Sequence, residues 1–451
     1  MSGLHRSPKR VDPATERGLS PSSVDDLLES VEQTFSLSEI IENPGLLKLE
    51  LMVHGVQLGP ALHLRSLSEE AFKNYFGNTR DIELRLPDGT QVTAPVRHSP
   101  YLLKEADGGF VLEIDAESLP EERRGGEIPS PVPIEFQEPG DFYTRRSSRG
   151  VPLSSLGTIR GSFLALLPTI ICGSLNQDHE CEFCSLPAED RPGKIEVEDV
   201  LEAVEVARAT AHIDVVYLST GYIDRPDSGV LELEPFIRAI KHQFDVLVAV
   251  DLMPPSENAW IDRTYAMGVD AVSYNLEIFD PIVFEKAASG PARTLGRERF
   301  LDALEYAVGV FPSGAVISHL MVGMEELSST AEGVETLTKA GVIPVLPLFR
   351  SFKGLDVRLH PTLTKEGRER LRPESLVGLY GLLYRKVRQY KLPLNWARYV
   401  SVASTPLEGR FFTGEGAGLL LFLDKLARTG LGRVTRSRLA DLRRLLRVRS
   451  N

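Results

Sequence analysis

Between Phe163 and Phe349 the chain repeats one unit: a short apolar run with no polar alternation, then a stretch with helical spacing. The apolar runs are Phe163–Ile171, Ile213–Ser219, Asp245–Val250, Ala271–Glu277, Ala315–Val322 and Val342–Phe349. Between them, Glu196–Ala209, Leu233–His242, Glu257–Met267, Arg297–Val310 and Ser329–Ala340 place apolar residues three and four apart, as one face of a helix does. A strand that is apolar at every position is buried on both faces, and helices between such strands cover those faces, so the sheet must be parallel. Six βα steps fall two short of a closed eightfold barrel. The expected fold is α/β, a partial (β/α)6 TIM-type barrel, in which chemistry gathers on the loops that follow the strand C-termini.

One such loop carries every cysteine of the 451-residue chain: Cys172, Cys181 and Cys184, spaced Cys-x8-Cys-x2-Cys. Cysteines scattered by core packing would rarely fall within thirteen residues with none elsewhere. Three thiolates can hold three irons of a four-iron cluster and leave the fourth iron open. The alternatives are a zinc site completed by His179, because structural zinc normally takes four protein ligands, or three unrelated buried thiols. A disulfide framework is disfavoured by the odd number. Unpaired thiols fit a reducing compartment, which points to the cytoplasm.

The remaining sequence frames this barrel, expected over residues 155–360. Residues 1–25 are rich in Ser, Pro and charge and read as disordered, with no apolar stretch of the kind a secretory signal needs. Val24–Ser36 has the pattern of a short amphipathic helix. Residues 26–140 form a β-rich accessory domain. There Leu47–Val53 alternates like a half-buried strand, and Asp81–Leu86 and Gln91–Val96 flank a Pro-Asp-Gly-Thr turn. Phe110–Ile114 is another strand, and Glu121–Gly140 reads as a linker. Residues 361–451 are a helical extension, with helical patterns at 364–390 and 416–448. Leu419–Leu423 is too short an apolar run to cross a bilayer. The net charge of −12 argues against a general nucleic-acid binder. Arg433, Arg436, Arg438, Arg443, Arg444, Arg447 and Arg449 are an exception, read as a solvated helix face or a dock for an acidic partner.

With its cysteine loop after the first strand and five further βα units, the stretch from Phe163 to Asp356 resembles the radical S-adenosylmethionine superfamily. Its second half is most similar to the biotin synthase-like branch. Cys181-Glu182-Phe183-Cys184 matches the end of the superfamily's Cys-x3-Cys-x-aromatic-Cys signature, whereas the first gap is eight residues rather than three. The resemblance implies a [4Fe-4S] cluster on Cys172, Cys181 and Cys184, with Phe183 beside the adenine of S-adenosylmethionine. Ser219-Thr220-Gly221 stands where relatives carry Gly-Gly-Glu, whose backbone meets the methionine amino group; here the turn keeps one glycine and has no acid. Asn275 and Glu277 match an Asn-Leu-Glu motif that binds the nucleoside. His319, Met321, Gly323 and Glu326 keep half of a Gly-x-Ile-x-Gly-x-x-Glu pattern beside the adenine, placing Gly323 among the cofactor contacts. His319 is the kind of strand residue that more often fills a core than catalyses. Arg350 occupies the adenine-contact loop and is expected to pair with a carboxylate.

These features imply reductive cleavage of S-adenosylmethionine to a 5'-deoxyadenosyl radical, with electrons from a donor such as flavodoxin or ferredoxin. The radical would abstract hydrogen from a small metabolite or cofactor precursor. With no cysteines left for an auxiliary cluster, rearrangement, carbon–carbon bond chemistry or epimerisation is favoured over sulfur insertion. The N-terminal domain or the C-terminal helices are the available lids. Two other readings remain at this stage: a radical enzyme that modifies a peptide or protein, and a zinc-stabilised barrel serving as a non-redox binding scaffold.

Overall fold

The computed structural model describes residues 35–59, 81–106, 108–119, 123, 127–136, 140–169, 172–174, 181–184, 194–350 and 371–413. The expected disordered N-terminus, the 416–448 helix, the arginine-rich tail and His179 lie outside these residues. No helix among the described residues is long and apolar enough to cross a membrane.

Two sheets organise the described chain. The larger has seven strands in the order β13-β12-β11-β10-β9-β8-β7. These are β7 (Gly157–Arg160), β8 (Phe163–Leu166), β9 (Val215–Ser219), β10 (Leu247–Asp251), β11 (Ala271–Ser273), β12 (Val316–His319) and β13 (Ile343–Val345). From β8 to β13 every neighbouring pair is parallel. The partial six-step barrel expected from the sequence is therefore the fold observed. Its strands are shorter than the apolar runs that predicted them, because the runs continue into loops that stay buried beyond the last ladder bond. β7 was not foreseen. It pairs antiparallel with β8 through a tight turn and extends the sheet at its first edge.

Helices α3 (Val197–Thr210), α4 (Val230–Gln243), α5 (Asn258–Ala266), α8 (Arg297–Val310) and α9 (Leu327–Ala340) follow the sequence pattern. Two short helices that the pattern did not reveal, α6 (Pro281–Ala287) and α7 (Ser289–Thr294), fill the loop after β11. Asp280 caps α6, accepting from the Ile282 and Val283 amides, and Pro281 starts it where no amide donor is needed. Helix α9 lies close on the sheet because Gly333 has no side chain; a Cβ there would meet Leu320 at 2.8 Å and Phe279 at 2.9 Å. Every residue of β9 is buried, as a strand covered on both faces requires.

The smaller sheet has the order β1-β4-β5-β6-β2-β3. It comprises β1 (Gln57–Leu58), β2 (Asp81–Arg85), β3 (Gln91–Pro95), β4 (Tyr101–Ala106), β5 (Gly109–Ile114) and β6 (Val132–Phe136). The β2–β3 hairpin forms where expected, with Gly89 at φ +90° in the turn. β6 lies inside the segment read as a linker. Its alternation of buried Val132 and Ile134 with exposed Pro133 and Glu135 marks a strand with one face on the core.

Leu47–Val53 is not a strand. It lies in α2 (Pro44–His54), which follows α1 (Leu37–Glu42). Asn43 caps α2, its Oδ1 accepting from the Gly45 and Leu46 amides, and Pro44 occupies the first turn. The alternation misled because its polar members are buried rather than solvated. Lys48 donates to the Thr405 carbonyl at 3.2 Å, and Glu50 accepts from Tyr101 and Arg123. Helix α10 (Pro373–Gln389) then packs on α9 and on α2, joining the two layers.

Candidate active site

The loops at the C-terminal ends of the strands enclose a cavity with about 950 Å³ of empty space, its solvent-open mouth included. All three cysteines line it, together with Phe183, Ser219, Thr220, Gly221, Asn275 and Glu277. Residues as far apart in sequence as Cys172 and Glu277 are thus brought to one place by the common direction of the parallel strands. Leu167, Met253, Phe284, Phe300 and Met321 supply apolar wall.

The cysteine loop is tied to the barrel at both ends. The Gly173 amide donates to the Tyr222 carbonyl at 2.7 Å, fixing the loop against the turn after β9. The Glu182 amide donates to the Ala287 carbonyl at 2.8 Å, fixing it against the end of α6. A bond from the Cys184 amide to the Cys181 carbonyl, 3.0 Å, closes a tight turn that turns both thiols toward the cavity. None of the three is in a disulfide, and each is partly exposed. Among the described residues no three His, Cys, Asp or Glu side chains meet at the spacing that one ion requires. A four-iron cluster places each thiolate on a separate iron and so asks for wider spacing than a single ion does. Three soft thiolates around one cavity fit such a cluster.

The polar floor comes from β9, β10 and β11. Asp251 closes β10 beside Ser219, its partner in the strand register. The Ser219 hydroxyl donates to Asp251 Oδ2 at 3.3 Å, and the Asn275 amide Nδ2 donates to Asp251 Oδ1 at 3.0 Å. Asn275 Oδ1 accepts from the His319 amide at 3.0 Å and from the Ser273 hydroxyl. This orientation of Asn275 leaves its amide fully specified. Thr220 receives a bond from the Thr169 hydroxyl at 2.9 Å.

Glu277 stands apart from this network. Its backbone is held in the left-handed region, φ +64°, a conformation costly for a residue with a side chain. Two bonds to the continuation of β12 hold it there: the Glu277 amide to the His319 carbonyl at 2.8 Å, and the Met321 amide to the Glu277 carbonyl at 2.7 Å. The carboxyl oxygen Oε2 is buried with no hydrogen-bond partner among the described residues. Burial, with the nearby charge of Asp251, pushes the Glu277 carboxyl up to about 8. Burial pushes Asp251 up to about 7, against hydrogen bonds from Ser219 and Tyr217 that lower it. An orphaned buried carboxyl oxygen in a cavity wall fits a ligand that brings a donor or a positive charge.

Two expected cofactor residues lie elsewhere. Arg350 does not line this cavity. Its guanidinium bonds Asp81 at 2.7 Å and the Thr93 carbonyl at 3.0 Å, so the carboxylate it pairs with belongs to the accessory sheet. Gly323 turns the chain at φ +104° after β12 but is not part of the wall; Met321, two residues earlier, is. In the same segment Glu326 is exposed at the start of α9, while its neighbour Glu325 is buried. Glu325 accepts from the Phe279 and Asp280 amides and from Thr330, which braces the loop after Glu277. The His319 side chain sits half-buried on the strand, and burial lowers it to about 4, which keeps the imidazole neutral.

Sequence reasoning missed Asp251. The available signal was an acid ending an otherwise apolar strand, Leu247–Asp251, at the barrel mouth. It also missed Met253, Phe284 and Phe300, which apolar residues in loops and helices do not announce.

No family model matches the chain. A curated relative, the bacteriochlorophyllide c C-7(1)-hydroxylase of Chlorobaculum limnaeum, is 24% identical over 208 residues. The match covers 41% of this chain and 52% of that protein, so the chain spans about half the length of the curated relative it matches. Among solved structures, methylornithine synthase is 14% identical over 49% of this chain and 63% of its own, with a TM-score of 0.38. The FeFe-hydrogenase maturase of Carboxydothermus hydrogenoformans is 17% identical over 51% of this chain and 52% of its own, with a TM-score of 0.37. With the curated relative, the resemblance to the radical S-adenosylmethionine superfamily read from the sequence is borne out.

Proposed function

We propose that this protein is a radical S-adenosylmethionine enzyme, with Cys172, Cys181 and Cys184 holding a [4Fe-4S] cluster whose fourth iron is open to the cofactor. The convergence of the three cysteines with Phe183, Ser219, Thr220, Gly221, Asn275 and Glu277 on one cavity carries this reading. Held by these cysteines, a reduced cluster would supply one electron for cleavage of a carbon–sulfur bond of S-adenosylmethionine, which would leave a 5'-deoxyadenosyl radical to take hydrogen from a substrate. The chain's own residues have simpler tasks. Phe183 offers an aromatic face to the adenine, and Asn275 and Glu277 offer hydrogen-bond partners to the nucleoside. The backbone after β9 offers polar groups to the methionine end.

The apolar walls from Leu167, Met253, Phe284, Phe300 and Met321 exclude water from the reacting carbon, which a radical requires. They also favour a substrate that presents hydrocarbon at that position, a small metabolite or a cofactor precursor. The name of the curated relative adds hydroxylation of a bacteriochlorophyllide to the substrates worth assaying. A flavodoxin or ferredoxin is the class of electron donor the chemistry needs.

Anaerobic reconstitution with iron and sulfide tests the reading. About four irons per chain are expected. The electron paramagnetic resonance spectrum of the reduced protein should also change when S-adenosylmethionine is added. A four-iron protein whose spectrum ignores S-adenosylmethionine would contradict the open iron.

A further inference from the structure

The cysteine loop meets the barrel at two separate anchors. Cys172 is placed through its neighbour. The Gly173 amide donates to the Tyr222 carbonyl at 2.7 Å, and the Tyr222 ring packs so closely that a Cβ on Gly173 would meet its Cδ1 at 3.4 Å. Tyr222 is buried, its hydroxyl donating to Asp224 Oδ1 at 3.0 Å, with Thr294 at the end of α7 beside it. Cys181 and Cys184 share one turn, and through the Glu182 amide that turn hangs from the carbonyl of Ala287, the last residue of α6. Both anchors therefore reach the α6–α7 excursion. The excursion is itself fixed at each end. Glu325, 2% exposed, accepts from the Phe279 and Asp280 amides just before α6, and Arg297, just after α7, donates to the Phe279 carbonyl at 2.8 Å. Phe284, Ala287, Gly290 and Pro291 are buried along it.

Eight residues stand between Cys172 and Cys181, and a link of that length sets no distance. It allows any end separation up to about 30 Å, whereas a cluster demands one arrangement of its three thiolates. Resting on the functional reading above, we propose that the α6–α7 excursion, rather than the chain between the first two cysteines, sets the distance of Cys172 from the Cys181–Cys184 turn. Tyr222 is the positioning residue on the Cys172 side, and the Ala287 carbonyl is the anchor on the other. The spacing that a short first gap would impose locally is carried here by the barrel, so the long gap is no defect in the motif.

One insertion made at two places separates the roles in the full-length protein. Gly-Ser placed after Gln177 lengthens the gap, and Gly-Ser placed after Ala288 lengthens the excursion between its two anchors. After anaerobic reconstitution the gap insertion should keep about four irons per chain and lose them to a chelator within about twofold of the wild-type rate. The electron paramagnetic resonance line shape of its reduced cluster should match that of the wild type. The excursion insertion should lose iron about tenfold faster or more, with an altered line shape. Equal effects of the two insertions, or a gap insertion that loses the cluster, would overturn the inference. Urea unfolding of the iron-free proteins shows whether the excursion insertion merely fails to fold. In that case Tyr222→Phe reads the same quantity, because it keeps the ring against Gly173 and releases the phenol from Asp224. Its cluster should be lost about threefold faster or more at an unchanged urea midpoint. A Tyr222→Phe protein that holds its cluster as the wild type does would overturn the inference. A wild type that takes up no four-iron cluster would overturn the functional reading as well, a different result from a wild type that loses its cluster only on the gap insertion.

Discussion

Glu50 is a buried acid and Glu277 an acid with a buried carboxyl oxygen, yet the chain treats them in opposite ways. Glu50, on α2 of the accessory layer, is 1% exposed and fully partnered. Tyr101 donates to it at 2.7 Å and Arg123 at 2.8 Å, while the same Arg123 reaches Glu374 on α10. Glu277, at the barrel mouth, sits on a left-handed backbone with one oxygen unpaired. A buried charge with its counter-charge in place is a clamp, here between the sheet layer and α10. A buried acid held without one, on strained backbone, is destabilising until a proton or a ligand compensates it. The difference separates the part of the molecule that holds shape from the part that binds.

The comparison can be broken at several points. The largest effect should come from the cysteines: replacing any one of Cys172, Cys181 or Cys184 by Ala should lower iron after reconstitution from about four per chain to a small fraction, and abolish cofactor cleavage. Iron analysis and visible absorbance check this, and a variant that keeps a full cluster would remove that cysteine from the ligand set. Glu50→Ala should cost about 3 kcal/mol in urea unfolding, because it leaves Arg123 without its buried partner. Ligand binding by the folded variant should be unchanged; a variant that lost binding but kept its stability would reverse the roles assigned to the two acids.

Glu277→Gln should do the opposite of Glu50→Ala. The folded-state carboxyl lies at about 8, above the ordinary 4.5. The folded protein therefore holds a proton that the unfolded chain has already released between these values. Its contribution to stability is complete below about 4.5 and is lost as pH rises through 8. The unliganded wild type should lose on the order of 3 kcal/mol from this group between pH 5 and 8, a loss absent from Glu277→Gln. Urea titrations of the two proteins at both pH values measure it, and parallel curves would show that Glu277 is not held in its neutral form. The smallest effect belongs to Arg350→Ala. Loss of the pair with the buried Asp81 should cost about 2 kcal/mol and leave cofactor affinity within about twofold. A large loss of affinity would return Arg350 to the site.

The barrel was legible because its signal is physical and local. A strand buried on both faces must be apolar along its buried length, and β9 and β10 are so up to Ser219 and Asp251 at their C-terminal ends. Cavity-lining residues at strand ends could be read by register: Glu277 and Asn275 follow β11, and the Ser219 turn ends β9. The accessory layer was less legible because its polar residues are not at its surface. Lys48 and Glu50 gave α2 the alternation of a strand, although both point into protein and find partners more than 50 positions away in sequence. Arg350 failed for the same reason, since its partner Asp81 lies 269 positions earlier. Long-range pairing of charges leaves no local trace, whereas apolar burial on a regular element does.

The proposed radical chemistry depends on an open iron held by three cysteines at the mouth of the barrel. Its most direct test is the release of 5'-deoxyadenosine by the anaerobically reconstituted, dithionite-reduced protein supplied with S-adenosylmethionine. The account predicts 5'-deoxyadenosine and methionine in equal amounts from a protein with about four irons per chain. A protein that binds one zinc per chain and releases neither product after reconstitution would contradict it.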